Sequence, residues 1–183
     1  MPESKLHRFL KQEILPYDAK VRNSLLYEQL RVWFVPRIDK KLGHTLHRPD
    51  IYYRCPRTDK RKTVLLLGEV ETGGGNYWWN LRQTEPIIKQ QWADHTVLFQ
   101  VFFPTCRTDW VDASLKEGKR LEKKYKNVHF YPFKMEINEE RAFRIYSSLR
   151  KGHKKKNDLM ILRRETNRIN AKLLNIVGKL LVC

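Results

Sequence analysis

Apolar residues run unbroken through Val64-Leu65-Leu66-Leu67 and then give way to Gly68-Glu69-Val70-Glu71. Such a run predicts a strand buried on both faces, and because side chains alternate along a strand, Glu69 and Glu71 share one face. Upstream, Arg48-Pro49-Asp50-Ile51-Tyr52-Tyr53 reads as a partner strand, with Arg57-Thr58-Asp59-Lys60-Arg61-Lys62 as the turn. A symmetric antiparallel hairpin centred between Asp59 and Lys60 sets Asp50 opposite Glu69. Three acids then meet at one hairpin end, where directly opposed residues stand about 5 Å apart. A shared divalent cation bound through oxygen relieves their repulsion best. The alternative is a polar hairpin end whose acids are simply solvated.

Around this hairpin the pattern predicts helices. Val21, Leu25, Val32 and Val35 keep helical spacing, which places a helix from about Ala19 to Phe34, and Pro36 discourages its continuation. Glu28 interrupts that stripe and by itself reads as a boundary residue with its head in water. After Glu71, the glycines of Thr72-Gly73-Gly74-Gly75-Asn76 permit a sharp exit, and Asn76 can cap the helix that follows. Pro86 either kinks that helix or sits in the first turn of a second one capped by Thr84. The segment Thr96 to Phe103 is another buried strand, closed by Pro104. Strand, helix, strand requires a crossover and a parallel pair, so the fold class is α/β.

Farther on, Asp112 to Lys126 is a charged helix, and Val128 to Met135 an edge strand on account of Pro132. Asn138 can cap a helix running through Arg150. The loop Arg150-Lys151-Gly152-His153-Lys154-Lys155-Lys156 then leads to a last helix over 158–183. On that helix Ile169, Leu173, Ile176 and Leu180 form one apolar face, widened by Leu174, Val177 and Leu181. The face suits either the chain's own sheet or an isologous homodimer interface.

At 183 residues the chain is long enough for one domain with its own core, covering 1–183. Its 37 Lys and Arg against 20 Asp and Glu give a formal charge of +17, whose self-repulsion favours a polyanionic ligand such as nucleic acid. Lys154, Lys155 and Lys156 are the densest candidates for phosphate contact. A membrane surface could also attract this charge, but no run approaches the roughly 18 apolar residues of a spanning helix, so a soluble, cytoplasmic protein is expected. Cys55, Cys106 and Cys183 are odd in number and lack any Cys-x-x-Cys pair, which argues for reduced thiols. His44, His47 and His95 have no zinc-ligand spacing, and neither a P-loop nor a Gly-x-Ser-x-Gly elbow is present.

Pro49-Asp50 followed by Glu69-Val70-Glu71 resembles the PD-(D/E)XK nuclease superfamily. The resemblance is best from Glu28 to the strand at Phe102. It departs from the family at Glu71, where lysine is usual, although some restriction enzymes of the family carry Glu-x-Glu. The resemblance implies a restriction-endonuclease-like mixed central sheet flanked by helices and a Mg²⁺- or Mn²⁺-dependent endonuclease acting on DNA. It makes Asp50 and Glu69 metal ligands, with the Val70 carbonyl between them. Glu71 would accept a proton from water or bind a second ion. Glu28 would reach the carboxylates from the first helix, Gln83 would touch water or phosphate, and Lys89 would replace the missing lysine. Tyr77, Trp78 and Trp79 beside the site serve either base stacking or core packing. The competing reading is a noncatalytic nucleic-acid-binding protein on the same fold, with Glu71 marking a decayed site.

Overall fold

A computed structural model of the chain describes residues 4–15, 35–36, 49–55, 62–90, 93–153 and 155–182. In chain order its elements are α1 (Lys5–Glu13), β1 (Val35–Pro36), β2 (Ile51–Cys55), β3 (Val64–Glu71), α2 (Tyr77–Gln83) and α3 (Glu85–Gln90). They continue as β4 (His95–Phe102), α4 (Thr108–Lys124), β5 (Val128–Lys134), α5 (Glu139–Arg150) and α6 (Lys156–Leu181). The strands form a five-stranded sheet in the order β1-β2-β3-β4-β5. It is mixed: β1, β2 and β3 pair antiparallel, whereas β3, β4 and β5 run parallel. The helices between the parallel strands are the crossovers that such pairing demands.

Both faces of the sheet are covered, which is why β3 is buried at all of its positions. Leu66 and Val70, with Ile51, Tyr53, Val97, Phe99 and Phe133, face a layer built from α1, α5 and α6. Leu65 and Leu67, with Leu98, Val128 and Phe130, face Leu81 of α2, Ile87 and Ile88 of α3, and Leu121 of α4. Each fully buried leucine contributes about 2 kcal/mol, so the unbroken run is what anchors the hairpin in the middle of the sheet. Gly68 is required there, because a Cβ at that position would lie 2.2 Å from Cζ of Phe99.

Several local signals act as the chain pattern predicts. Pro132 lies in β5, the last strand of the sheet, where a missing N–H is tolerated. The Asn138 side chain accepts from the N–H groups of Glu140 and Arg141 and so starts α5. Two helices, not one kinked helix, follow the glycines, and Pro86 falls in the first turn of the second. Thr84 ends the first of them, its hydroxyl donating back to the Leu81 carbonyl at 2.6 Å. Others differ. Val35, read as the end of a helical stripe, pairs instead with Arg54 as part of β1. The charged helix α4 begins at Thr108, ahead of Asp112. The predicted helix from Ala19 to Phe34, with Glu28 on it, and Lys154 in the basic loop lie outside the described residues.

The last helix takes one of the two roles its apolar face allows, packing on the chain's own sheet. Leu162, Ile169, Leu173, Leu174, Val177 and Leu181 are buried in the same core as β3, and Ile176 and Leu180 pack at its margin. Most of the apolar face on which the homodimer expectation was built is thereby covered within the chain. The buried Asn170 on α6 instead fastens α1: its Oδ1 accepts from Leu15 N–H at 2.9 Å and its Nδ2 donates to the Glu13 carbonyl at 2.9 Å. Leu15 has φ of 47°, and this amide bridge, with the Tyr53 hydroxyl donating to the Leu15 carbonyl, holds the turn that ends α1. Among the described residues no helix is long and apolar enough to cross a membrane.

Candidate functional site

The β2–β3 register is Ile51↔Gly68, Tyr52↔Leu67, Tyr53↔Leu66. Continued by one residue, it sets Asp50 opposite Glu69, as hairpin symmetry requires. Asp50 stands just ahead of β2, where the ladder stops, and its Oδ2 accepts from the Val70 N–H at 3.0 Å in place of a backbone acceptor. The same oxygen is 2.8 Å from Nε2 of His7, and Oδ1 is 3.0 Å from the Lys11 ammonium. His7 and Lys11 are four residues apart on α1, hence on one helix face, and both reach the hairpin end because α1 is fastened at its far end by Asn170. Burial works to raise the Asp50 pKa, but the His7 hydrogen bond and charge, the Val70 N–H and Lys11 together hold it below the ordinary carboxylate value.

Glu69 and Glu71 are both buried, at 2% and 3% exposure. Glu71 lies on the face that carries α2. Its Oε1 accepts from Nε2 of Gln100 at 2.8 Å and from Nδ2 of Asn80 at 3.1 Å. Gln100 is held in turn by donating to the Tyr77 carbonyl at 3.1 Å. Burial pushes the Glu71 pKa up, and the Asp50 charge adds to that rise, while the two amide donors and the His7 charge oppose it. The pKa values of the two carboxylates are therefore driven apart, that of Asp50 down and that of Glu71 up.

Beyond the C-terminal ends of β3 and β4 lies an open groove of about 540 Å³, floored by Gly73, Pro104, Thr105 and Cys106 and walled by Phe143 and Tyr146 of α5. Crevices at this end of parallel strands are where α/β sheets receive ligands. The groove adjoins Glu71 through the backbone: the Cys106 thiol donates to the Glu71 carbonyl at 3.2 Å, and the Thr105 hydroxyl to that of Thr72 at 3.2 Å. Burial raises the Cys106 thiol pKa to about 11, so it is a protonated packing group rather than a nucleophile.

The other expected site residues are distributed differently. Gln83 is the last residue of α2, and the amides that hold Glu71 are Asn80, one turn earlier, and Gln100 on β4. Lys89 lies on α3, 3.8 Å from its partner Glu85, so the ammonium at the carboxylates is that of Lys11. Tyr77 is fully buried and packs edge-on against Trp110 at 5.4 Å, whereas Trp79 is 44% exposed. Lys155 and Lys156 are exposed at the head of α6. His7 and Lys11 carried no motif, although their spacing of four residues ahead of an acidic hairpin was a readable sign of a shared basic face.

The donor chemistry suits a hard divalent cation: Asp50, Glu69 and Glu71 offer carboxylate oxygens, and the buried Oε1 of Gln100 has no hydrogen-bond donor among the described residues. The described residues do not gather three acid, imidazole or thiol groups around one ion position. Asp50 and Glu71 are instead engaged by the protein's own donors. Comparison with protein-family models, with curated proteins and with solved structures finds no match to this chain in any of the three.

Proposed function

We propose that this protein is a divalent-cation-dependent endonuclease that hydrolyses DNA phosphodiester bonds at the β2–β3 hairpin end, on a restriction-endonuclease-like sheet. The observation that carries this reading is the pair of unlike carboxylates: Asp50 at the ladder's end, held ionised, and the buried Glu71 near enough for Asp50 to raise its pKa. Asp50 and Glu69 would hold Mg²⁺ or Mn²⁺, which when bound supplies Lewis acidity and an activated water. Glu71 accepts and returns a proton at its carboxylate, oriented by Gln100 and Asn80. Lys11 supplies the positive charge that the family's pattern places at position 71, available to a nonbridging phosphate oxygen.

The test is cleavage of plasmid and single-stranded DNA by the purified protein in Mg²⁺, Mn²⁺ and EDTA. Metal-dependent cleavage by the wild type, lost in Asp50→Asn and in Glu69→Gln, is the expected result. Wild-type rates from either variant would overturn the assignment of these ligands. A second reading, a nucleic-acid-binding protein without hydrolytic activity, is favoured by one observation: Asp50 is satisfied by His7, Lys11 and the Val70 N–H, and Glu71 by two amides, with no need of an ion. Metal-independent DNA binding with no cleavage under any of the three conditions would select it.

A further inference from the structure

Between α5 and the start of α6 lies an open cleft of about 510 Å³, lined by Arg141, Arg144 and Ser148 on one side and by Lys155, Lys156 and Asp158 on the other. Arg141 and Arg144 are three residues apart and so share one face of α5. Among the described residues none of the four cations is ion-paired and Asp158 is the single carboxylate lining the cleft. Elsewhere several surface cations are closely paired: Arg107 with Asp109 at 2.6 Å, Arg120 with Glu85 at 2.7 Å, Lys124 with Glu85 at 2.7 Å, and Arg168 with Glu136 at 2.8 Å. Four convergent cations that a single carboxylate offsets only in part, in a concave place, are stabilised by an external anion. The first turn of the 26-residue α6 opens toward the same cleft, and Lys155 at its N-cap makes no side-chain cap bond, so its leading N–H groups add to the positive field.

We infer that this cleft is a docking site for the phosphodiester backbone of a nucleic acid, separate from the carboxylates at the hairpin end. Two arginine forks on one helix face match the nonbridging oxygens of phosphate, and the lysines add charge without geometric demand. The exposed apolar side chains nearby, Phe143 at 64% and Met160 at 59%, do not line the cleft, so the charge is not accompanied there by the apolar anchor that a membrane surface requires. The turn between α5 and α6 is linked to the hairpin end by α1. Lys5 Nζ lies 2.9 Å from where a Cβ on Gly152 would stand, which puts the start of α1 against the α5–α6 turn. From Lys5 to Lys11 the helix rises about 9 Å, and Lys11 is at Asp50, so α1 runs from the α5–α6 turn to the hairpin end. The inference rests on the reading that the protein acts on nucleic acid, but not on its hydrolysing it.

The test measures binding of fluorescent duplex and single-stranded DNA by the full chain in EDTA, by anisotropy across a salt series, with phosphatidylserine-containing vesicles in parallel. Arg141→Ala with Arg144→Ala is expected to lower DNA affinity about tenfold or more near physiological salt and to flatten the log–log salt slope by about 2, one unit per lost phosphate contact. Lys123→Ala with Lys126→Ala, which removes the same charge from the far side, is expected to leave the slope unchanged. Arg141→Lys with Arg144→Lys should keep the slope but lose part of the affinity, because charge survives and the fork does not. An unchanged slope in the arginine-to-alanine pair, an equal loss in the Lys123 and Lys126 control, or wild-type binding to vesicles but not DNA would each overturn the inference. Weakened binding in the cleft variants alongside a wild type that cuts nothing would uphold the cleft and sink the hydrolytic reading. A wild type that cuts DNA, with cleft variants that bind and cut as it does, would do the reverse.

Discussion

Replacing Asp50 by asparagine tests more than a metal ligand, because its carboxylate is also the tie between α1 and the hairpin. Three contacts converge on it: His7 at 2.8 Å, Lys11 at 3.0 Å and the Val70 N–H at 3.0 Å. An asparagine oxygen can still accept from Val70, so what is lost is charge assistance in the other two. Hydrogen bonds to charged groups contribute about 1.5–3 kcal/mol and neutral ones about 1, which puts the loss over the two contacts at about 1–4 kcal/mol in all. His7 and Lys11 are 26% and 32% exposed, and solvent screening places the expectation in the lower half of that range. For a chain of this size that is a fall in Tm of about 2–10 °C. The sign with pH follows from the depressed folded-state pKa of Asp50. Its contribution is fully present above the unfolded value, about 3.9, and disappears as pH falls through the folded value. Urea unfolding of the metal-free protein should therefore separate wild type from Asp50→Asn at pH 7 and bring them together in strong acid. A double-mutant cycle with Lys11→Met should return a coupling of about 1 kcal/mol. Equal unfolding midpoints at pH 7 would show that Asp50 does not hold α1.

Glu71→Gln should have the opposite effect on stability while abolishing metal-dependent cleavage. Burial raises the Glu71 pKa, so the folded wild type loses stability as pH rises from the unfolded carboxylate value through the folded one, and the glutamine variant, melted over the same pH range, should not. Gly68→Ala forces a methyl to within 2.2 Å of the Phe99 ring and should cost about 1–3 kcal/mol by denaturant titration, with recovery when Phe99→Leu is added. Asn170→Ala leaves the Leu15 N–H and the Glu13 carbonyl without their partners and should destabilise by about 2–4 kcal/mol, and faster amide exchange at Leu15 would confirm that the turn has opened.

The order of elements along the middle of the chain was legible because it rests on neighbours in sequence. Hairpin symmetry sets Asp50 against Glu69 from the turn position alone, and the observed pair Ile51↔Gly68 has that register. A buried run, a helix and a second buried run leave a parallel pair as the only short connection, and β3 and β4 pair so. Asn138 and Pro132 act through their own side chain or ring, so their roles needed no tertiary information.

What surrounds the carboxylates was decided only by packing. His7 meets Asp50 across 43 residues and Gln100 meets Glu71 across 29, distances over which no periodicity speaks. Asn80 rather than Gln83 reaches Glu71 because α2 starts at the strand exit, and three residues along a helix carry a side chain about 4.5 Å farther from it. Lys89 falls to Glu85 for the same reason, one helix later. The apolar face of α6 could serve equally a partner or the chain's own sheet, since a hydrophobic stripe states only that it must be covered. The fold covers it internally, and a buried polar residue in that stripe, Asn170, sets where α1 ends and so where Lys11 and His7 stand. Local pattern thus determined which strands carry the acids, and long-range contact determined which charges they face.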